Sequence, residues 1–306
     1  TFLYGPRYFA PLRYLVLFLR TLFLLYRKRP DVVYAQNPPV FCPLTCLFYC
    51  RMANTRLVID HHSIWTVKTL GNSLVSKAIG MLERFVARAA HANTAPHAVW
   101  GRMLDEMGAR NVGVIHDFVE RNRYARDDSI RKRYSHDGIM AIASHGGHPL
   151  ERIEAEEAAV SMNGSVTLLV TGPPEKLRHR IGERLPANVR YLGLLDREEY
   201  EKLKASADFA INVTDEPYTL SHVLFEYAAS SLPTISSRQE VVEEIFGDSL
   251  LYADSSDPAD VAERVKQFTN DEIRRHYRSL IQSKFEELAK LRSGELQALS
   301  RLLSSP

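Results

Sequence analysis

With 306 residues, 45% hydrophobic and 25% charged, the chain has an ordinary globular composition and is long enough for two domains with sizeable cores. A formal net charge of only +2 argues against a protein devoted to nucleic acid, where a strong basic excess is expected. The basic excess sits at one end: residues 1–35 carry six Arg and Lys against Asp31, a net +5, leaving −3 for everything after.

The first unusual stretch is PLRYLVLFLRTLFLLYRKRP, apolar nearly all round except for Arg13, Arg20 and Arg27, which recur every seven residues and share one stripe of a helix. A membrane-spanning helix needs about 20 apolar residues and would have to bury Arg20 midway, so a span is excluded. Two readings of residues 9–29 remain. One is a core helix whose arginines reach solvent or a phosphate; the other is a helix lying in a membrane interface with its arginines towards anionic headgroups.

PDVVYAQNPP follows, a buried strand stopped by Asn37 and two prolines. A crossover helix is expected over Phe41 to Ala53. Its cysteines, Cys42, Cys46 and Cys50, are spaced four apart and share a helix face; this is not a zinc spacing, so they read as small buried thiols in a reducing compartment. RLVIDHHS gives a second strand ending in a polar cluster. A long helix is expected from Ser73 to Ala92, a short strand at Ala92 to Ala95, a helix from His97 to Met107, and a last strand at residues 113–115.

Residues 119–137 hold few apolar groups and many charges, so they break the alternation and read as a linker between a first domain, 1–118, and a second, 138–280, with a C-terminal helix over 281–306. The second half restarts with five apolar strands, IMAIAS, VTLLVTG, NVRYLG, FAINV and PTISS, each followed by a helical segment. Strands alternating with helices imply parallel sheets, and the fold class expected is α/β, two Rossmann-like doubly wound domains facing each other across a cleft.

Parallel sheets place ligands outside the carboxyl ends of their strands, so the strand ends are the candidate site. In the first half these are Gln36, Asn37, Asp60, His61, His62, Ser63, His116 and Asp117; in the second, Ser144, His145, Gly146, Gly147, Gly172, Lys176 and the segment from Glu216 through Ser221 to Glu226. Gly146 and Gly147 let backbone N–H groups approach a phosphate, and Lys176 adds a positive charge at the neighbouring strand end. Glu226, about one and a half turns into its helix, faces the same region or is a solvated helix glutamate.

The order QNPP, VIDHHS, ERFVARAAHANTAPHAV and VIHDF, followed by GPPEKL, YLGLL, LKASADFAINV and FEYAASSLPTISS, resembles the GT-B glycosyltransferases, and most closely the chitobiosyldiphosphodolichol β-mannosyltransferase family, within the broader glycosyl transferases group 1. The resemblance implies a GT-B enzyme that moves a sugar, mannose by this likeness, from a GDP- or UDP-sugar to a lipid-linked or cell-surface glycan acceptor at the cytoplasmic membrane face. It implies no permanently bound cofactor and no required metal. Glu226 would bond the nucleotide ribose, and Gly146, Gly147 and Lys176, with Arg152 or His145, would meet the leaving diphosphate. Glu216 and Ser221 join this donor set, Gln36, Asn37, Asp60 and His61 form the acceptor side, and His62 is the family-matched base for a transfer that inverts the anomeric centre.

The chain departs from that pattern in several places. His61 and Ser63 replace a tryptophan and an asparagine; Tyr218 stands where relatives carry a glutamate; Ser221, His222 and Val223 stand where a phosphate-binding lysine is expected. Only about 35 residues precede QNPP, and a chain beginning at Thr1 is expected to lack a first βαβ portion. A non-catalytic GT-B homologue that binds a sugar nucleotide or a partner enzyme is the alternative; a nucleotide-sugar epimerase of the same shape is a third.

Overall fold

The computed structural model describes residues 10–62, 74–134, 138–148, 150–177, 186–215, 218 and 220–304. The chain divides into two compact units, unit 1 comprising 1–116 with 292–306, and unit 2 comprising 117–291.

Unit 1 opens with α1 (Ala10–Lys28), followed by β1 (Val32–Asn37), α2 (Phe41–Ala53), β2 (Arg56–His61), α3 (Leu74–Ala89), β3 (Ala92–Ala95), α4 (Ala98–Glu106) and β4 (Val112–Val114). The four strands are parallel in the order β1-β2-β3-β4. Register brings Gln36 beside Asp60, Asn37 beside His61, and Asp60 beside Thr94, so the polar strand ends fall in one row. The core is built from Val33, Ala35, Leu57 and Ile59 of the sheet against Leu47, Tyr49 and Cys50 of α2 and Val86 of α3, with Leu22 and Leu25 of α1 packed on its edge. Cys46 and Cys50 are buried as the spacing predicts, but Cys42, at the start of α2, is exposed. Burial pushes the Cys50 thiol up to about 11, whereas a hydrogen bond from Cys46 holds Cys42 down at about 7.

Unit 2 contains α5 (Asp128–Tyr134), β5 (Ile139–Ser144), α6 (Ile153–Ser161), β6 (Val166–Thr171), α7 (Pro174–Leu177), β7 (Val189–Gly193), α8 (Arg197–Ser206), β8 (Phe209–Asn212), α9 (His222–Ala229), β9 (Thr234–Ser237), α10 (Glu240–Phe246), β10 (Leu251–Ala253), α11 (Pro258–Gln267) and the start of α12 (Asp271–Ser304). Among the described residues its six strands are parallel, in the order β10-β9-β8-β5-β6-β7. This is the doubly wound order, whose direction of winding reverses between β5 and β8. Successive residues of β5 serve opposite faces, Ala141 and Ala143 in one core cluster, Met140 and Ile142 in the other. Both faces are covered by helices, hence the uninterrupted apolar strands. A fully buried ring such as Phe209 contributes about 1.5–3 kcal/mol by leaving water.

Three boundaries differ from the sequence reading. Three-residue β10 is too short to show a period. Residues 119–134 are not loose: α5 lies in unit 2, where buried Asp208 binds Arg131 at 2.8 Å, Arg126 at 3.3 Å and the Met140 N–H at 2.8 Å. Two of the charges that suggested a linker, Arg126 and Arg131, are thus paired within unit 2. The last helix starts at Asp271 rather than 281 and runs unbroken for 34 residues, belonging to unit 2 up to Leu291 and to unit 1 from Arg292.

Candidate functional site

A cavity of about 630 Å³ opens at the carboxyl ends of β5, β6, β7 and β8, at the point where the strand order of unit 2 reverses. Its wall includes Ser144, His145 and Gly146 after β5, Thr171 and Gly172 after β6, Leu194 and Leu195 after β7, Asn212 and Thr214 at β8, and Ser221, His222 and Glu226 at α9. The volume is that of a small-molecule site. Of the sequence-predicted donor residues, His145, Gly146, Ser221 and Glu226 line it. Glu216 lies outside the described residues.

Gly146 and Gly147 form a cradle of N–H groups, as their sequence predicts, but the cradle holds a carboxylate of the chain itself. Glu151 accepts hydrogen bonds from the N–H groups of Gly146 at 2.8 Å, Gly147 at 3.0 Å and His148 at 3.0 Å. Gly147 has φ +78°, and a Cβ there would lie 2.5 Å from Cβ of Lys176, so only glycine lets the turn close under that side chain. Gly172 is required for the same reason: a Cβ would fall 2.3 Å from the carbonyl oxygen of His145. The sequence marks both glycines but not Glu151, because a loop carboxylate gives no periodic signal.

Lys176 is exposed and extends over Gly147 to donate to the Gly146 carbonyl at 3.4 Å. Arg152 does not line the cavity; its Nε lies 3.2 Å from Asp215 Oδ2. His145 is clamped by Glu156, Nε2 to Oε2 at 2.7 Å with both side chains fully buried, and Glu156 also accepts the Val213 N–H at 2.8 Å. That pair ties the ends of β5 and β8 together across the switch point, a fastening role rather than that of a mobile phosphate-binding cation.

Glu226 is not a solvated helix residue. Its Oε2 accepts from Tyr200 Oη at 2.8 Å and from Lys204 Nζ at 3.3 Å, and Lys204 also donates to Glu201 Oε1 at 3.0 Å. Tyr200 Oη lies 3.0 Å from Ser144 Oγ, itself 3.0 Å from Thr171 Oγ1. A tyrosine hydroxyl has one proton, and the carboxylate takes it; Ser144 therefore donates to Tyr200. Burial first, then the charges of Tyr227 and Glu226, push the Tyr200 hydroxyl far up, so it stays a donor. The Lys204 side chain is 1% exposed, with its Nζ 4.3 Å from the Tyr200 ring centre. A buried ammonium persists only where it is paired, and here two carboxylates and a ring face share it. Tyr200 and Lys204 are four apart on α8, an i,i+4 pair in an otherwise charged helix, which is the signal the sequence offered and strand-end reasoning passed over.

His222, at the first position of α9, lies with Nδ1 3.6 Å from Asp117 Oδ2. The Asp117 hydrogen bond raises its proton affinity above the usual histidine range, outweighing partial burial.

In unit 1 the strand-end residues form one polar cluster. His61 is buried, with Nδ1 3.4 Å from Asn37 Nδ2 and Nε2 3.0 Å from Asn93 Oδ1; burial lowers its pKa, so it is a neutral structural histidine. Asn37 also donates to buried Glu83 at 3.3 Å. His62 is different: its side chain is 39% exposed and its Nε2 lies 2.7 Å from Asp60 Oδ2. Asp60 Oδ1 accepts from Thr94 at 2.9 Å, and Tyr34 lies 3.0 Å from that threonine hydroxyl. Burial pushes the Asp60 carboxyl up, but hydrogen bonds from His62, Thr94 and Tyr34, with the His62 charge, prevail and hold it below the ordinary value. Gln36 is exposed beside this group. Among the described residues no group of three or more His, Cys, Asp or Glu is arranged to hold a metal ion.

The sequence matches a family described as a glycosyl transferase 4-like domain over residues 2–116, and one described as glycosyl transferase-like over residues 151–290. Comparison with curated proteins gives no match. Similar solved structures include HepE of Anabaena in complex with UDP and glucose (TM-score 0.77, 15% identity, covering 93% of this chain and 81% of that one). Sucrose-phosphate synthase from Thermosynechococcus elongatus has a TM-score of 0.76 at 16% identity, with 98% and 81% covered. An E. coli structure described as trehalose-6-phosphate bound with UDP-2-fluoro glucose has a TM-score of 0.73 at 11% identity, with 96% and 78% covered. Each half of the chain thus matches a glycosyl transferase-like domain, and the fold is the two-domain GT-B fold of glycosyltransferases.

Proposed function

We propose that the unit 2 cavity binds a nucleotide diphosphate sugar and that the enzyme transfers its sugar to a hydroxyl of a lipid-linked or cell-surface glycan at the cytoplasmic face of a membrane. The observation that carries this reading is the position of Glu226 in a cavity at the switch point, with Oε2 fixed by Tyr200 and Lys204. A carboxylate held rigidly from one side presents its other oxygen to the ribose hydroxyls without losing entropy on binding. Lys176, with His222 when it is protonated, supplies positive charge for a departing diphosphate, and this reading adds no metal ion. Mannose is the sugar favoured by the QNPP and IDHH elements. His62 is the base: Asp60 holds its Nε2, so the acceptor proton enters at Nδ1. The similar structures that carry UDP or UDP-glucose support the donor class.

The membrane part of the proposal rests on α1. Phe18, Leu22 and Leu25 turn towards α2 and the core, while Leu12, Leu15, Leu19 and Phe23, the last 64% exposed, lie uncovered beside Arg13, Arg20 and Arg27. No helix among the described residues is long and apolar enough to cross a membrane. An apolar strip bordered by arginines suits a helix lying in the headgroup layer.

Isothermal titration with UDP and with GDP tests the donor site. Binding of one of them is expected, and binding of neither sinks the proposal. Transfer from GDP-mannose and from UDP-glucose to a lipid-linked oligosaccharide then identifies the sugar, and the product's anomeric configuration tests the role given to His62.

A further inference from the structure

A second groove, of about 500 Å³, lies in unit 1 at the end of the sheet opposite Asn37 and His62. It is walled by Arg51 in the last turn of α2, by Met81, Arg84, Phe85 and Arg88 along α3, and by Arg110 in the turn before β4. Among the described residues no acidic side chain lines it. None of its four guanidinium groups forms an ion pair among the described residues. Arg88 donates through Nε to the Met107 carbonyl at 2.7 Å, which fixes its fork at the groove wall, and Arg51 lies 5.8 Å from the Phe85 ring centre. Arg84 and Arg88 are four apart on one helix, a like-charge pair that weakens the helix unless an anion lies between them. Guanidinium forks match phosphate oxygens two at a time.

We propose that this groove seats the phosphate of an anionic phospholipid headgroup, an inference that rests on the membrane reading of α1. The groove wall is also apolar: Met81 is 65% exposed and Phe85 is exposed beside it. Tyr26 Oη donates to exposed Met52 Sδ at 3.3 Å, which brings the last turn of α1, with Arg27 and Lys28, to the same end of the sheet as Arg51. Arginines without acidic partners, interleaved with exposed methionine and phenylalanine, match a surface that offers phosphate and hydrocarbon together. A soluble phosphate ligand would leave Met81 and Phe85 without a function.

The test is sedimentation with phosphatidylcholine vesicles containing phosphatidylglycerol, at about 150 mM salt so that weak surface attraction is screened. The unaltered chain is compared with Arg84→Gln/Arg88→Gln and with Leu19→Ser/Phe23→Ser. The arginine variant is expected to lose roughly tenfold or more in vesicle affinity, while its affinity for UDP or GDP is unchanged, which shows that it folds. Short-chain phosphatidylglycerol below its micelle concentration should bind the unaltered chain and not that variant. If the arginine variant sediments like the unaltered chain while the α1 variant is lost from the vesicles, the groove proposal falls and the membrane reading stands. Failure of the unaltered chain to sediment overturns both. Binding of inorganic phosphate as tight as that of the short-chain lipid makes the groove a soluble-anion site and overturns the lipid assignment.

Discussion

Glu151 Oε1 accepts the backbone N–H of Gly146 at 2.8 Å, so the turn that reads as a phosphate cradle is already filled by a carboxylate from within the chain. Glycines give the turn its shape, and Glu151 gives it an anion. A diphosphate approaching Lys176 meets this negative charge, and the two compete for the same donors.

Replacing Glu151 with Gln removes the charge and keeps an acceptor oxygen in the turn. Nucleotide affinity is expected to rise roughly fivefold, about 1 kcal/mol for one unit charge removed near a solvated diphosphate. Titration calorimetry with UDP or GDP measures it. A fall in affinity instead makes Glu151 the fastener that holds the cradle open for its ligand.

Tyr200 and Lys204 fix Glu226, so their variants should separate stability from affinity. Tyr200→Phe removes one charge-assisted hydrogen bond and is expected to cost about 1–2 kcal/mol in urea unfolding. Lys204→Met leaves Glu201 and Glu226 without their cation, but both carboxylates reach water, so about 2 kcal/mol is expected, less than for a fully enclosed pair. Glu226→Ala should lower nucleotide affinity about tenfold, the loss of one charged hydrogen-bond acceptor. Unchanged affinity in Glu226→Ala takes the ribose role away from it.

His222 makes the donor site sensitive to pH. Its folded pKa is raised above the ordinary value of 6.5 by the Asp117 hydrogen bond, so its contribution to stability is fully present below 6.5 and is lost as pH rises through the raised folded value. The imidazolium also faces the cavity, so nucleotide affinity should weaken over the same rise in pH. Affinities measured from about pH 6 to about pH 8.5 in the parent and in His222→Gln check this. A pH dependence that survives the substitution assigns the effect to another group.

The parts of this molecule that were legible in the sequence are those with a period. β5, β6 and β8 are buried on both faces, so their apolar runs stand out, and the polar residues that end them mark the cavity correctly. Three-residue β10 has no period to read. Arg126 and Arg131 read as solvated chain because Asp208, their partner, lies some 80 positions away in sequence. Distance in sequence also hid the Tyr200 and Lys204 contacts to Glu226 and the pairing of Arg152 Nε with Asp215. His61 and His62 are adjacent in the chain and opposite in character, because alternation in an extended segment buries one and exposes the other.

That alternation singles out His62 for the sharpest test of the chemistry. His62→Gln keeps a polar side chain at an exposed position and should leave folding and nucleotide binding unchanged, while transfer falls by about 10²–10⁴, the usual worth of a general base. Asp60→Asn should have a smaller effect of the same kind, because it keeps an acceptor oxygen for Nε2 but removes the negative charge that favours the imidazolium. The Asp60 carboxyl is held below its ordinary value of 3.8, so its stabilising contribution is present above 3.8 and is lost only as pH falls through the lower folded value. The stability deficit of Asp60→Asn should therefore be fully present above about pH 4 and shrink as pH falls below it, and its transfer rate should also differ at neutral pH. Transfer by His62→Gln at the parent rate would leave the acceptor proton to another base and reduce the Asp60–His62 pair to a fastening of the β2 end.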